Sequence, residues 1–99
     1  MIKCFNVNAK TPIGIKKGKI SFSINGETLS GLIEYMGEKL SFSDGIFKDN
    51  NFEFSGVAKK FIYKVPFTAK GIINKNNIIG VATTKYGKIY IDGVSTVSE

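Results

Sequence analysis

The chain has 99 residues, of which 42% are apolar, including eight phenylalanines and four tyrosines. This composition is typical of one folded domain and excludes a disordered chain. All fourteen basic residues are lysine, histidine is absent, and the net charge is +6. The commonest general base and metal ligand is therefore missing, and so is arginine, the residue best suited to bidentate phosphate contacts. We expect a single all-β domain over residues 1–99, with residues 95–99 as a frayed tail.

The beginning of the chain gives no sign of export. Residues 1–10 alternate apolar and polar side chains after Met1, so they lack the continuous apolar run of a signal peptide or a membrane span. Cys4 is the only cysteine, which excludes an internal disulfide framework. We expect a cytoplasmic protein with no membrane span.

The first half of the sequence predicts four strands, because apolar residues alternate with period two and no window has the period of a helix. The predicted elements, in chain order, are a strand at about 3–9, a strand around Ile20, Phe22 and Ile24, a type I′ turn at Asn25-Gly26, a strand over 28–36 ended by Gly37, and a strand from Leu40 to Phe47. Asp44-Gly45 is either a turn or a bulge inside that last strand. A bulge is favoured, since a turn there would leave only a stub before residues 49–51.

The second half predicts four more strands. They are a strand over 52–58 ended by Lys59-Lys60, a long strand over 63–71, a turn at 74–77, a strand over 78–84, a turn at Tyr86-Gly87, and a strand around Ile89 and Ile91. Pro66 lies in the long strand and cannot donate to a ladder. We therefore expect it beside a bulge or a gap in the sheet.

A repeated pattern indicates how these strands are arranged. Gly31, Gly56 and Gly80 each follow a turn rich in asparagine, at spacings of 25 and 24 residues, and the first and third copies align without a gap at an offset of 49. Four similar hairpins predict an eight-stranded antiparallel up-and-down barrel, since closure removes the exposed edges. A flattened barrel or a β-sandwich is the alternative. The glycines either relieve crowding in the wall or open room for a ligand.

Several segments also resemble a known family. They are TPIG (11–14), NGETLSG (25–31), MGEKLSFSDG (36–45), NNFEFSG (50–56), VPFTAKGIINKNNIIG (65–80) and YGKIYIDG (86–93). Together they resemble small bacterial calycin-like, or lipocalin-like, domains of unknown function. The resemblance implies an eight-stranded barrel. Its motifs are turn and packing residues, so it implies no catalytic residue.

No group of residues predicts a reaction or a cofactor. A nucleophilic triad needs a histidine that the chain lacks, and the scattered carboxylates have no metal-ligand spacing. Glu34 and Glu53 fall on outward faces, while Asp44 and Asp92 adjoin glycines, where turn chemistry explains them. An enzyme would depend on tyrosines and carboxylates alone, so a non-enzymatic role is favoured.

Two functions from different classes remain. The first is a binding module for a small apolar or amphipathic, anionic ligand in a lumen rimmed by lysines and lined by Phe22, Ile33, Tyr35, Phe54, Tyr63 and Phe67. The second is a structural or interaction domain with a solid core that forms an oligomer or docks a partner through outward Leu32, Val57, Ile62, Ile72, Ile79 and Val81. Most phenylalanines fall on the predicted inward face, so exposed aromatic residues that would stack bases are not evident, and we expect no specific nucleic-acid binding.

Overall fold

The computed structural model describes residues 1–11, 14–35, 37–60 and 63–96, without the side chains of Lys60 and Tyr63. It contains eight strands: β1 (Ile2–Thr11), β2 (Gly14–Asn25), β3 (Thr28–Tyr35), β4 (Glu38–Lys48), β5 (Asn51–Lys60), β6 (Tyr63–Asn74), β7 (Asn77–Thr84) and β8 (Gly87–Ser95). Each strand pairs antiparallel with the next, and β8 pairs with β1 to close the barrel. The predicted all-β meander barrel is confirmed.

The alternation of apolar and polar residues in the sequence corresponds to the inner and outer faces of the barrel wall. Because successive side chains of a strand point to opposite faces, every second residue enters the interior. Among the described residues, the buried side chains are apolar: Phe5, Val7, Ile20, Phe22, Ile24, Leu29, Phe42, Phe52, Phe54, Ala69, Ile73, Ile78 and Ala82. Burial of these side chains is the main contribution to the stability of the fold.

The hairpin turns differ in part from their prediction. Asn25 ends β2, and the turn consists of Gly26 and Glu27, of which Gly26 alone has a positive φ, +64°. The predicted type I′ turn centred on Asn25-Gly26 is therefore wrong, and glycine at the first central position instead fits a type II′ geometry. Asp49 and Asn50 have φ values of 53° and 66°, which are the two positive values that a type I′ turn requires.

The predicted bulge in β4 is confirmed. Leu29 pairs with Gly45 and Gly31 pairs with Phe42, so two steps along β3 oppose three along β4. The left-handed φ of Asp44, 61°, accommodates the extra residue. Beyond the bulge the alternation resumes one residue out of phase, which brings Phe47 against the core.

The chain is built from two halves with the same layout. Adding 49 to the bounds of β1, β2 and β3 gives the bounds of β5, β6 and β7, and β4 and β8 also begin 49 residues apart. Equivalent inward positions often exchange large and small residues: Phe22 corresponds to Gly71, and Gly18 to Phe67. Each half therefore supplies bulk where the other lacks it, and the partial repeat of the sequence extends to whole strands.

Strands β5 and β8 extend beyond their predicted ends. Lys59 and Lys60 lie inside β5 rather than at its reversal. Ser95 ends β8, where its N–H donates to the Asn76 carbonyl at 2.7 Å, and the Thr96 N–H donates to the Cys4 carbonyl at 3.0 Å. The β6–β7 connection thus holds Ser95, and β1 holds Thr96. Residues 97–99 of the predicted frayed tail lie outside the described part of the chain.

A meander places its turns alternately at two ends. We call the end with the connections at 12–13, 36–37, 61–62 and 85–86 the lysine end, and the end with the connections at 26–27, 49–50 and 75–76 the asparagine end. The names follow the residue types that flank the connections in the sequence.

Candidate functional site

Phenylalanine rings fill the half of the barrel nearer the asparagine end. Phe22 is 0% exposed and lies 5.6 to 6.1 Å, between ring centroids, from Phe5, Phe42, Phe52 and Phe54. Phe42 and Phe54 stack at 3.8 Å. Two residues predicted to line a ligand site, Phe22 and Phe54, thus belong to a packed aromatic cluster.

The repeated glycines make room for such rings. A Cβ built on each of them would meet a phenylalanine ring atom at 2.7 to 2.9 Å. The pairs are Gly31 with Phe42, Gly56 with Phe67, and Gly80 with Phe52. The first two pairs are also direct cross-strand partners. In the described structure the glycines relieve crowding, and the space that they leave holds rings.

Inward residues nearer the lysine end are only half-buried. They are mostly apolar: Ala9, Ile33, Tyr35, Leu40, Ala58, Val65, Phe67, Ile89 and Ile91. Three residues of the predicted ligand site, Ile33, Tyr35 and Phe67, lie in this group. The side chain of Tyr63 lies outside the described part of the structure. The predicted site is therefore divided between a closed half and an open half.

One hairpin stands away from its neighbours at the open half. Ladder pairs between β4 and β5 run from Ile46–Glu53 to Lys48–Asn51, and those between β6 and β7 begin at Thr68–Thr83. In the described ranges, residues 56–60 and 63–67 therefore pair only with each other. We call this ribbon the flap. Pro66 lies in it, where β6 has no ladder partner on β7, so the expected gap is confirmed.

An open groove of about 670 Å³ lies between the flap and β7. Its lining combines inward and outward residues: Ser55, Gly56, Val57, Pro66, Phe67, Thr68, Thr83, Thr84 and Lys85. Of these only Phe67 was among the predicted ligand-binding residues. The others could not be found from sequence alone, because the groove lies where the β6–β7 ladder stops, and alternation does not reveal the length of a ladder.

Among the described titratable residues of the open half, Tyr35 is the one with a shifted pKa. Burial raises the pKa of Tyr35 above its usual value, and the nearby Glu38 carboxylate raises this pKa further. The phenol is thus neutral at physiological pH, and its hydroxyl can donate a hydrogen bond.

Charge is distributed unequally between the two ends. Within four residues of the connections at the lysine end, the sequence has nine lysines and two acids: Lys10, Lys16, Lys17, Lys39, Lys59, Lys60, Lys64, Lys85 and Lys88, against Glu34 and Glu38. Within four residues of the connections at the asparagine end, the sequence has two lysines and three acids: Lys48 and Lys75, against Glu27, Asp49 and Glu53. The positive field of the protein is therefore concentrated around its open end.

A second feature is an apolar patch on the outer wall. Ile72 and Ile79 are direct cross-strand partners and are 47% and 67% exposed. Val81 follows Ile79 on the same face and pairs with exposed Tyr90. We call these four residues the side patch.

The side patch contains only part of the predicted outer surface. Leu32 lies on β3 between Ser21 and Ser41, away from the side patch. Val57 lies in the flap opposite Pro66. Ile62 lies outside the described residues. The predicted set therefore divides in the structure, and Ile72, Ile79 and Val81 are the members that adjoin.

Among the described residues, no three His, Cys, Asp or Glu side chains are grouped to hold a metal ion. In the same part of the chain, no helix has the length and apolarity to cross a bilayer. No family model matches the chain, and a search of curated proteins finds no similar sequence. Support for a function therefore comes from the geometry and charge of the open end.

Proposed function

We propose that this protein is a binding module that takes a small amphipathic anion at the lysine end of its barrel. The observation that carries the proposal is the groove beside the flap, whose volume of about 670 Å³ lies within the usual range for small-molecule sites. An apolar tail would lie against Phe67 and Gly56. The anionic group would remain at the rim near Lys85.

The charge distribution supports an anion over a neutral molecule. Lysine is a compact, strongly hydrated cation that attracts an anion without fixing its orientation. Several lysines around one apolar opening therefore favour the anionic members of a class of amphiphiles, such as fatty acids, without selecting one structure. Such attraction weakens as salt screens it.

A fluorescent long-chain fatty acid titrated into the protein tests the proposal, with matched charge reversals in two turns. Lys85 lies in the connection at 85–86 and Lys75 in that at 75–76, at opposite ends. Lys85→Glu should weaken binding by roughly three- to tenfold, while Lys75→Glu should leave the affinity almost unchanged. Absence of saturable binding, or an equal loss in both variants, would refute the proposal.

A second candidate function is self-association or partner binding through the side patch. The pairing of two exposed isoleucines favours it, because contiguous exposed apolar side chains often mark an interface. Sedimentation of the wild type should then show concentration-dependent association that Ile79→Lys abolishes. A monomer at every concentration would eliminate self-association.

We also propose that the chain is a bacterial calycin-like, or lipocalin-like, domain and that it acts in the cytoplasm. The closed eight-stranded meander supports the fold part of this proposal. Mass spectrometry of protein purified from its host tests the rest, since a carrier of this kind should retain a bound amphiphile.

A further inference from the structure

The two ends of the barrel differ in the chemistry of their connections as well as in charge. In the sequence, the connections at the asparagine end and their flanking residues are Asn25-Gly26-Glu27-Thr28, Lys48-Asp49-Asn50-Asn51 and Asn74-Lys75-Asn76-Asn77. All of these are polar apart from one glycine. The connections at the lysine end contain Pro12-Ile13, Met36, Phe61-Ile62 and Tyr86. Only the last of these lies among the described residues.

Described residues at the lysine end show the same apolar character. Tyr86 is 68% exposed, and its ring lies under the Lys85 ammonium at 5.1 Å. Ile15, the second residue of β2, has a largely exposed side chain, and Val57 is exposed on the flap. Exposed apolar side chains are thus interspersed with lysines at this end. Other exposed apolar side chains, among them Ile46, Ile79 and Val94, lie nearer the asparagine end, where lysines are not in excess.

Two of the lysines at the lysine end repel each other in the folded protein and so lower its stability. Lys59 and Lys64 are direct cross-strand partners on the outer face of the flap, and both are exposed. Like charges in this position repel each other. An anionic surface would remove that repulsion by supplying counter-charge to both ammonium groups.

We propose that the lysine end docks end-on against an anionic lipid bilayer, with Tyr86 at the interface and the lysines over the headgroups. The observation behind it is the juxtaposition of exposed apolar side chains and an excess of lysines at one end of the barrel. A bilayer fits this combination because it offers a plane of negative charge above an apolar layer. Lysine suits such a diffuse field, whereas specific phosphate recognition favours arginine.

This docking shares its lysines with the proposed ligand site but does not require any molecule to enter the groove. It would place the open half of the barrel directly against the source of an amphipathic anion. The two proposals can therefore fail separately.

Co-flotation with vesicles provides the first test. The protein should float with phosphatidylcholine vesicles that contain about one third phosphatidylglycerol and should not float with phosphatidylcholine alone, and about 0.5 M salt should release it. Lys59→Glu combined with Lys64→Glu should reduce binding by roughly tenfold or more.

Lys48→Glu combined with Lys75→Glu is the matched control, because it changes the net charge equally at the asparagine end. Each pair lowers the net charge from +6 to +2, since every exchange removes two units. The control should retain binding within about threefold. Equal losses in the two double variants, or no flotation with anionic vesicles, would overturn the proposal.

The orientation can be measured directly, because the chain contains no tryptophan. Tyr86→Trp should give a fluorophore that brominated lipids quench in anionic vesicles, while Ile79→Trp in the side patch should remain unquenched. Quenching only at position 79 would mean that the side wall docks and would overturn end-on docking.

Competition distinguishes the other polyanions. A single-stranded oligonucleotide that displaced the protein from vesicles at an equal phosphate concentration, and abolished flotation, would assign the lysine end to nucleic acid and overturn the proposal. Flotation that persists together with no fatty-acid binding in solution would support the docking and refute the ligand site. Fatty-acid binding without flotation would do the reverse.

Discussion

The two halves of the barrel are built from the same strands but are packed differently. Toward the asparagine end, four rings from three other strands meet around Phe22, and most inward side chains are buried. Toward the lysine end, the inward side chains are smaller or aliphatic for the most part and only half-buried. The difference teaches that the packed aromatic core lies toward the asparagine end, which leaves the lysine end open for the binding that we propose.

The two seams between the halves of the chain show how the open end arises. β8 pairs with β1 at six positions, from Phe5–Ser95 to Lys10–Tyr90, whereas the described part of the β4–β5 ladder has three pairs. The bulge at Asp44-Gly45 lies just before the short ladder in β4, where bulges commonly redirect a strand. Between this short ladder and the lysine end, β4 and β5 are joined by side-chain contacts in place of ladder hydrogen bonds: Phe42 stacks on Phe54, and Leu40 lies over Gly56.

The largest expected effect comes from removing the central ring of the closed half. Phe22→Ala should lower the free energy of unfolding by about 3–5 kcal/mol, since it leaves a cavity within the aromatic cluster. Phe67→Ala in the half-buried region should cost only about 1–2 kcal/mol, because less apolar area leaves the core. Urea denaturation measures both. Equal costs would contradict the contrast between the halves.

The glycines provide a second contrast of smaller size. A Cβ at position 31 would collide with the Ser21 carbonyl oxygen, a backbone atom that cannot move freely. At position 56 the nearest atom is Phe67 Cζ at 2.9 Å, the tip of a half-buried ring that can rotate away. Gly31→Ala should therefore destabilise by about 2 kcal/mol or more and Gly56→Ala by about 1 kcal/mol or less. A costlier change at position 56 would show that the open half is as rigid as the closed one.

Much of this architecture could be predicted from the sequence, because alternation and turn chemistry act locally. The inward placement of Phe22, Phe54 and Phe67 follows from period two alone, and the bulge follows from the shortness of the alternative strand. Both are decided by residues adjacent in the chain.

The open end could not be predicted in the same way. The groove depends on where the β6–β7 ladder stops, which is a matter of shear between strands and not of any residue type. Alternation likewise cannot separate Phe22 from Ile33, since both point inward and only their height in the barrel differs. The turn at Gly26-Glu27 was misplaced by one residue because Asn25 tolerates either position.

A charge reversal on the flap should stabilise the protein slightly. Lys59→Glu replaces a cross-strand repulsion with Lys64 by an attraction, so unfolding should require about 0.5–1 kcal/mol more at low salt. Adding Lys64→Glu restores a like-charged pair and should cancel the gain. A gain that survives in the double variant, or that salt does not reduce, would mean that the two side chains do not interact across the ribbon.

The smallest expected effect is a pH dependence centred on Tyr35. The folded pKa of this phenol is raised, first by burial and then by Glu38, so the fold favours the neutral form. The resulting stability is fully present below the unfolded pKa of about 10 and is lost as the pH rises through the higher folded value. Above about pH 10, the urea midpoint of unfolding should therefore fall less in Tyr35→Phe than in the wild type. Tyr90→Phe is the control, because it removes an exposed phenol, and its urea midpoint should follow that of the wild type.

A titration of tyrosine absorbance at 295 nm tests the contribution of Glu38. Because the pKa of Tyr35 is raised, its deprotonation should form a late phase at the high-pH end of the titration, and Glu38→Gln should move this phase toward lower pH. An unchanged late phase in Glu38→Gln would mean that burial alone raises the pKa. A late phase that is still present in Tyr35→Phe would belong to another tyrosine.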